Sequence, residues 1–200
     1  MTLRIVLASR NPGKLRELGA LLAGLPVELL LASEAGAPEV PEDGATFEEN
    51  AAAKARETAR ATGLDALADD SGLEVPALDG APGVRSARYS PEGTDAANNL
   101  RLRGEIARLR LHRPAARFVC VVAFAAPDGE VLNLSRGEAA GYLLPEPRGR
   151  NGFGYDPLFF SPELSKTFAE ATPEEKAGVS HRGRALRAFR AFLEPRLIHP

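Results

Sequence analysis

Residues 3–8, LRIVLA, form an apolar run of strand length that stops at Ser9-Arg10-Asn11-Pro12-Gly13 and gives way to leucines at 15, 18, 21 and 22 in helical spacing. The order then repeats. Residues 27–31 read as a second strand, and a stretch rich in Pro, Gly and acids runs from 33 to 44. After it, TFEENAAAKARETARATG reads as a helix with Thr46 as N-cap, Glu49 as capping-box partner and Gly63 as stop. Strands alternating with helices confine a chain to the α/β class, because parallel neighbours need a crossover between them. Residues 118–126 and 131–141 instead flank Pro127-Asp128-Gly129-Glu130, whose Asp-Gly pair favours a hairpin. The sheet is therefore expected to be mixed. Residues 64–68 and 73–75 read as extended segments either side of a Ser71-Gly72 turn, and 158–160 as a short strand. Residues 95–111 and 183–193 read as helices, and Thr172 with Glu175 caps a further helical turn. No internal repeat or low-complexity linker interrupts the chain, so residues 1–200 read as a single domain.

With 200 residues, 44% of them apolar, the chain can bury a full core. Its 27 acidic and 25 basic residues leave a net charge of −2, which supplies no broad field for nucleic acid or an anionic membrane. Any phosphate chemistry must be local. The one cysteine, Cys120, lies inside RFVCVVAF; it excludes an intrachain disulfide and a cysteine-rich metal site, and reads as a buried core thiol. The start, MTLRIVLASRNPGK, lacks the basic segment, long apolar stretch and cleavage site of a signal peptide, and no apolar run approaches membrane-spanning length. A cytoplasmic protein is expected.

Four groups of residues could carry chemistry, and each has a plain structural reading beside the functional one. Ser9-Arg10-Asn11-Pro12-Gly13-Lys14 joins a strand to a helix start, where backbone N–H groups and a lysine can hold phosphate, although the spacing is not that of a P-loop. It also reads as an ordinary turn with a solvated lysine. ALADDSGLEV delivers Asp69 and Asp70 together, and Glu42 lies in a separate acidic loop; Glu42 with Asp70, and Asp69 and Glu49 as further candidates, are oxygen donors of the kind Mg²⁺ takes. One carboxylate could accept a proton from an attacking water. In Asn151-Gly152-Phe153-Gly154-Tyr155-Asp156-Pro157, glycines flank an aromatic ring that could stack on a base, or the rings could simply be core. Lys176 and Ser180-His181-Arg182-Gly183 set cations before the last helix, where a surface role is the alternative. Taken together they are the parts of a nucleotide-hydrolysing site.

In this order the blocks ASRNPGK (8–14), TFEENAAAKAR (46–56), ADDSGLEV (68–75), GAPGVRSARYS (80–90), GRNGFGYDPLF (149–159) and EEKAGVSHRGRAL (174–186) resemble the inosine/xanthosine triphosphate pyrophosphatases, house-cleaning enzymes of the purine nucleotide pool. The resemblance implies an elongated mixed sheet flanked by helices, with two lobes around a central cleft, in a homodimer. It implies Mg²⁺-assisted hydrolysis of ITP, dITP and XTP to monophosphate and pyrophosphate. By motif position, Asn11 and Lys14 would hold the triphosphate with Lys54, Lys14 and Lys54 would also be catalytic, and Ser9, Arg10, Pro12 and Gly13 would join them in binding substrate. Glu42 and Asp70 would bind the metal, and Asp70 would accept the proton. Ser71 would touch substrate, Phe153, Gly154, Tyr155 and Asp156 would line the base, and Lys176, His181 and Arg182 would complete recognition. Glu42 is chosen over Glu39 and Asp43 by its distance from the TFEEN block, and bulky Arg10 leaves its own role open. Rival readings are a pyrophosphatase for modified pyrimidine or methylated guanine nucleotides, a phosphatase with an aspartyl nucleophile, and a nucleotide-binding module without catalysis.

Overall fold

A computed structural model describes residues 2–9 and 12–198. Its seven strands are β1 (Leu3–Leu7), β2 (Val27–Leu31), β3 (Asp65–Glu74), β4 (Ala115–Ala125), β5 (Val131–Leu143), β6 (Phe159–Ser161) and β7 (Lys166–Thr167), and they form one sheet in the order β2-β1-β3-β4-β5-β6-β7. β1 pairs in parallel with β2, Leu3 opposite Val27 through Leu7 opposite Leu31, and in parallel with β3, Ile5 opposite Asp65 through Leu7 opposite Leu67. At the other edge β5, β6 and β7 pair antiparallel. The sheet is mixed, as the alternation and the hairpin dictate.

The helices are α1 (Pro12–Leu21), α2 (Phe47–Thr62), α3 (Asp95–Arg108), α4 (Pro173–Val179) and α5 (His181–Ile198). None is long and apolar enough, among the described residues, to cross a membrane. α2 begins at the Thr46 cap and ends at Gly63 as read from the sequence, but without the full capping box. The Thr46 side chain accepts from Glu49 N–H at 3.1 Å, while the Glu49 carboxylate reaches back to Ala45 N–H at 2.7 Å, one residue earlier than a capping box. Gly63 ends the helix at φ 65°, a left-handed conformation that glycine adopts without Cβ strain. Thr46→Ala removes one partner of the N-terminal N–H groups and is expected to cost about 1 kcal/mol, read as a lower urea midpoint at unchanged m-value.

The chain divides into two compact units. The first comprises residues 1–70, 120–136 and 185–200. Its core sets Ile5 and Leu7 of β1 with Leu18 and Leu22, Cys120 and Val122 of β4, and Phe189 of α5, while Val6, pointing the other way, packs with Ala32 and Ala37. From β1 the first crossover leads outward to β2 and the next returns past β1 to β3. Right-handed crossovers in opposite directions put α1 and α2 on opposite faces, and sheets wound in this way bind ligands beyond the carboxyl ends of the strands where the connections diverge, here β1 and β3.

The second unit comprises residues 71–119 and 137–184. Its core is aromatic: the Phe118 and Phe159 rings lie 4.8 Å apart, as do those of Phe159 and Phe168, and His181 stacks on Phe118 at 4.6 Å with the planes 10° apart. A capping box fixes the start of α4, with Thr172 Oγ1 accepting from Glu175 N–H and the Glu175 carboxylate from Thr172 N–H. Lys176 is thereby set on the first turn and a half of that helix.

One expectation is corrected. Ser71-Gly72 is not a turn: residues 65–74 are one continuous strand. The turn residues are overridden because β3 lies between β1 and β4, where ladder hydrogen bonds outweigh local propensity.

Candidate functional sites

The strand geometry explains the adjacent acids. Successive side chains on a strand point to opposite faces. Asp69 Oδ1 therefore accepts from Lys14 Nζ of α1 at 2.7 Å, while Asp70 Oδ2 accepts from Asn50 Nδ2 of α2 at 2.9 Å. The two carboxylates are parted by the pleat and each meets a partner from a helix on its own side.

α2 sets Asn50 and Lys54 one turn apart on a single face. Asn50 also accepts from Gly44 N–H through Oδ1 at 2.8 Å, which ties the acidic loop to the helix. Lys54 Nζ donates to Glu42 Oε1 at 2.6 Å and to the Asp69 carbonyl at 2.7 Å, and lies 3.7 Å from Asp70 Oδ1. Its side chain is only 12% exposed. The ammonium marks a point where carboxylate and carbonyl oxygens converge on a positive charge.

Beside it lies a cavity of about 230 Å³ whose polar lining is Ser9, Lys14, Glu39, Glu42, Lys54 and Thr58. Cavities that enclose a whole drug-sized ligand run to about 300–1,000 Å³, so this one suits part of a ligand, such as its phosphates. Pro12 and Gly13 open α1. Arg10 and Asn11 lie outside the described residues. Among the described residues no group of three or more His, Cys, Asp or Glu side chains gathers as a metal cage. Mg²⁺ needs none, since it takes one or two protein carboxylates and completes its shell with water and phosphate.

The second unit gathers a different set. Phe153 is 56% exposed, with Lys176 Nζ 4.8 Å and Arg182 Cζ 5.6 Å from its ring centroid. Asp156, nearly fully buried, accepts from Phe153 N–H at 2.9 Å and is ion-paired with Lys176. Gly152 is required here: its φ is 76°, and an added Cβ would come 2.0 Å from Asp156 Oδ2. Arg182 Nη2 donates to Ser71 Oγ at 3.3 Å, and His181 and Arg182, at the start of α5, are both buried. Tyr155 turns inward. Its ring is core, its hydroxyl donates to the Ser86 carbonyl at 2.9 Å, and burial pushes its phenol well above the usual range. Tyr89 nearby is pushed up to about 12 by burial and by its hydrogen bond to Glu105, and the same bond lowers Glu105.

Three further residues had no sequence signal beyond helix spacing. Asn50 tethers Asp70, and Asp95 and Asn99 of α3 engage the backbone of Gly154: Gly154 N–H donates to Asp95 Oδ2 at 2.6 Å, and Asn99 Nδ2 donates to Gly154 O at 2.8 Å. All are ordinary polar helix residues in the sequence, and only contact distinguishes them.

These features define an α/β protein whose first unit pairs lysines with carboxylates beside a cavity and whose second presents an aromatic ring among cations. Residues 5–192 match the model of the Ham1 family, and the chain belongs to that family. It is 53% identical over 192 residues to a dITP/XTP pyrophosphatase of Geobacter sulfurreducens, covering 95% of this chain and 96% of the relative. It is 52% identical over 187 residues to one of Thermus thermophilus, covering 94% and 90%. Among solved structures, a HAM1 protein from Coxiella burnetii superposes with a TM-score of 0.92 at 42% identity, covering 96% of this chain and 99% of that one.

Proposed function

We propose that this protein hydrolyses the non-standard purine nucleoside triphosphates dITP, ITP and XTP to the monophosphate and pyrophosphate. Its curated relatives, about half identical over nearly the whole chain, carry the name dITP/XTP pyrophosphatase. The observation that carries the mechanism is the convergence of Glu42, the Asp69 carbonyl and Asp70 on the Lys54 ammonium, beside a cavity shared with Lys14.

That oxygen set fits Mg²⁺, with Glu42 and Asp70 as its holders; when bound, the ion would neutralise part of the triphosphate charge. The chain's own groups do the rest. Ser9, Arg10 and Asn11, with Pro12 and Gly13 at the start of α1, bind phosphate oxygens, because N–H groups at a helix start favour anions. Lys14 and Lys54 leave their carboxylate partners for the triphosphate and stabilise the charge that builds on departing pyrophosphate. Asp70 accepts the proton of a water attacking the α-phosphorus; the bond to the bridging oxygen breaks and pyrophosphate leaves. Phe153 stacks on the purine, and Gly154 to Asp156, Lys176, His181 and Arg182 shape its surroundings, with Ser71 against the substrate. A 6-oxo base satisfies buried donors that the amino group of adenine would leave unpaired, a discrimination of about 1–3 kcal/mol. The enzyme is proposed to act in the cytoplasm as a homodimer.

Product analysis tests this reading. With Mg²⁺ present, dITP and XTP should yield pyrophosphate and monophosphate at rates at least about tenfold above ATP, the ratio one unpaired buried donor supports. Orthophosphate as first product, or UTP or dTTP as the better substrates, would overturn it.

A further inference from the structure

Phe153 poses a problem that packing does not solve. A ring meant to stack on a base must be held in direction, yet more than half of this residue is exposed, and the cations of Lys176 and Arg182 flank its ring without enclosing it. Its backbone is the other hold on its direction, and that backbone is tied on both sides. The peptide before it is held because Phe153 N–H donates to Asp156 Oδ2 at 2.9 Å, and Asp156 N–H donates back to Phe153 O at 3.2 Å. The peptide after it is held from outside the loop. The N–H of that peptide belongs to Gly154 and donates to Asp95 Oδ2 at 2.6 Å, a charge-assisted bond. The next peptide is fixed in turn, since Gly154 O accepts from Asn99 Nδ2 at 2.8 Å, and the same Nδ2 donates to Asp95 O at 2.7 Å. Asp95 and Asn99 lie one turn apart on α3, whose start is capped by Thr94.

We infer that Asp95 and Asn99 are positioning residues for purine binding: they clamp Gly154 to α3, fix the backbone on the carboxyl side of Phe153, and so aim its ring. This inference rests on the reading of Phe153 as the base-stacking residue. Neither residue needs to touch substrate, and their effect belongs to the base and not to the triphosphate. Loss of the clamp lets the loop sample other directions, so affinity for the base falls while the hydrolytic groups of the first unit keep their geometry.

The test compares dITP with ribose 5-triphosphate, which carries the phosphates and sugar without a base. For Asp95→Ala and Asn99→Ala, the ratio of KM for dITP to KM for the abasic substrate should rise about tenfold, with kcat on dITP changed by less than about threefold. Asp95→Asn keeps an acceptor for Gly154 N–H and should restore most of what Asp95→Ala loses. Thermal unfolding of each variant checks that the fold is retained, and the KM ratio is unaffected by a merely smaller folded fraction. Phe153→Ala separates the two ideas. If it raises the ratio and the α3 variants do not, the clamp is overturned while the base reading stands. If Phe153→Ala leaves the ratio unchanged, the base reading fails and the clamp with it.

Discussion

Asp70→Asn is expected to lower kcat on dITP about a thousandfold while leaving nucleotide binding measurable by calorimetry, since a general base contributes about 10²–10⁴. The substitution isolates proton transfer as closely as chemistry allows. Asparagine keeps the shape and an oxygen for the Asn50 Nδ2 bond at 2.9 Å, and it occupies a site only 7% exposed without adding volume. What it loses is the negative charge and the ability to take a proton. Because Asp70 is also proposed to hold Mg²⁺, the assay is run across a wide range of metal concentration. Recovery of full turnover at high Mg²⁺ would reduce Asp70 to a metal ligand, and unchanged turnover would remove it from the mechanism.

Lys54→Met is expected to lower kcat/KM about 100- to 1,000-fold, the range for removing one charge-stabilising donor from a transition state. It should also destabilise the free protein. Methionine fills similar space but leaves the Glu42 carboxylate, the Asp69 carbonyl and the Asp70 carboxylate without the ammonium they converge on. Loss of a partner from a fully buried pair costs about 3–5 kcal/mol, but Glu42 is about one third exposed, so about 1–2 kcal/mol is expected here. For a chain of this size that lowers Tm by about 2–8 °C. Added Mg²⁺ should recover more of the lost Tm in the variant than it adds to the parent, because a divalent ion can replace the missing charge. A variant with unchanged Tm and unchanged kcat/KM would show that the convergence on Lys54 is incidental.

Much of the scaffold was legible from pattern. The run 118–126 is apolar throughout because β4 is a central strand covered on both faces, and Cys120 is buried with it. Thr46, Thr172 and Gly63 announced helix ends because capping is a local interaction, complete within four residues of chain. Ser71-Gly72, extended although its residues favour a turn, was not legible for the complementary reason. A strand in mid-sheet is decided by neighbours far away in sequence, and local turn propensity carries no record of them. Strand β7 likewise depends on a partner that only folding supplies, and for Tyr155, where the sequence left base lining and core both open, only folding shows the ring turned inward.

The sequence alone determined which chemical groups are present and in what order: the acids at 42, 69 and 70, the lysines at 14, 54 and 176, and the Phe153 loop with its glycines. Motif, charge and helix spacing are properties of the covalent chain. The tertiary structure decided who meets whom. It separated Asp69 from Asp70 by the strand pleat, gave one to Lys14 and the other to Asn50 and Lys54, and set Asp95 and Asn99 against Gly154. Hydrogen bonds and ion pairs act over about 3–4 Å, so they register proximity in space, and proximity between residues 55 or 59 positions apart is created only when the chain folds.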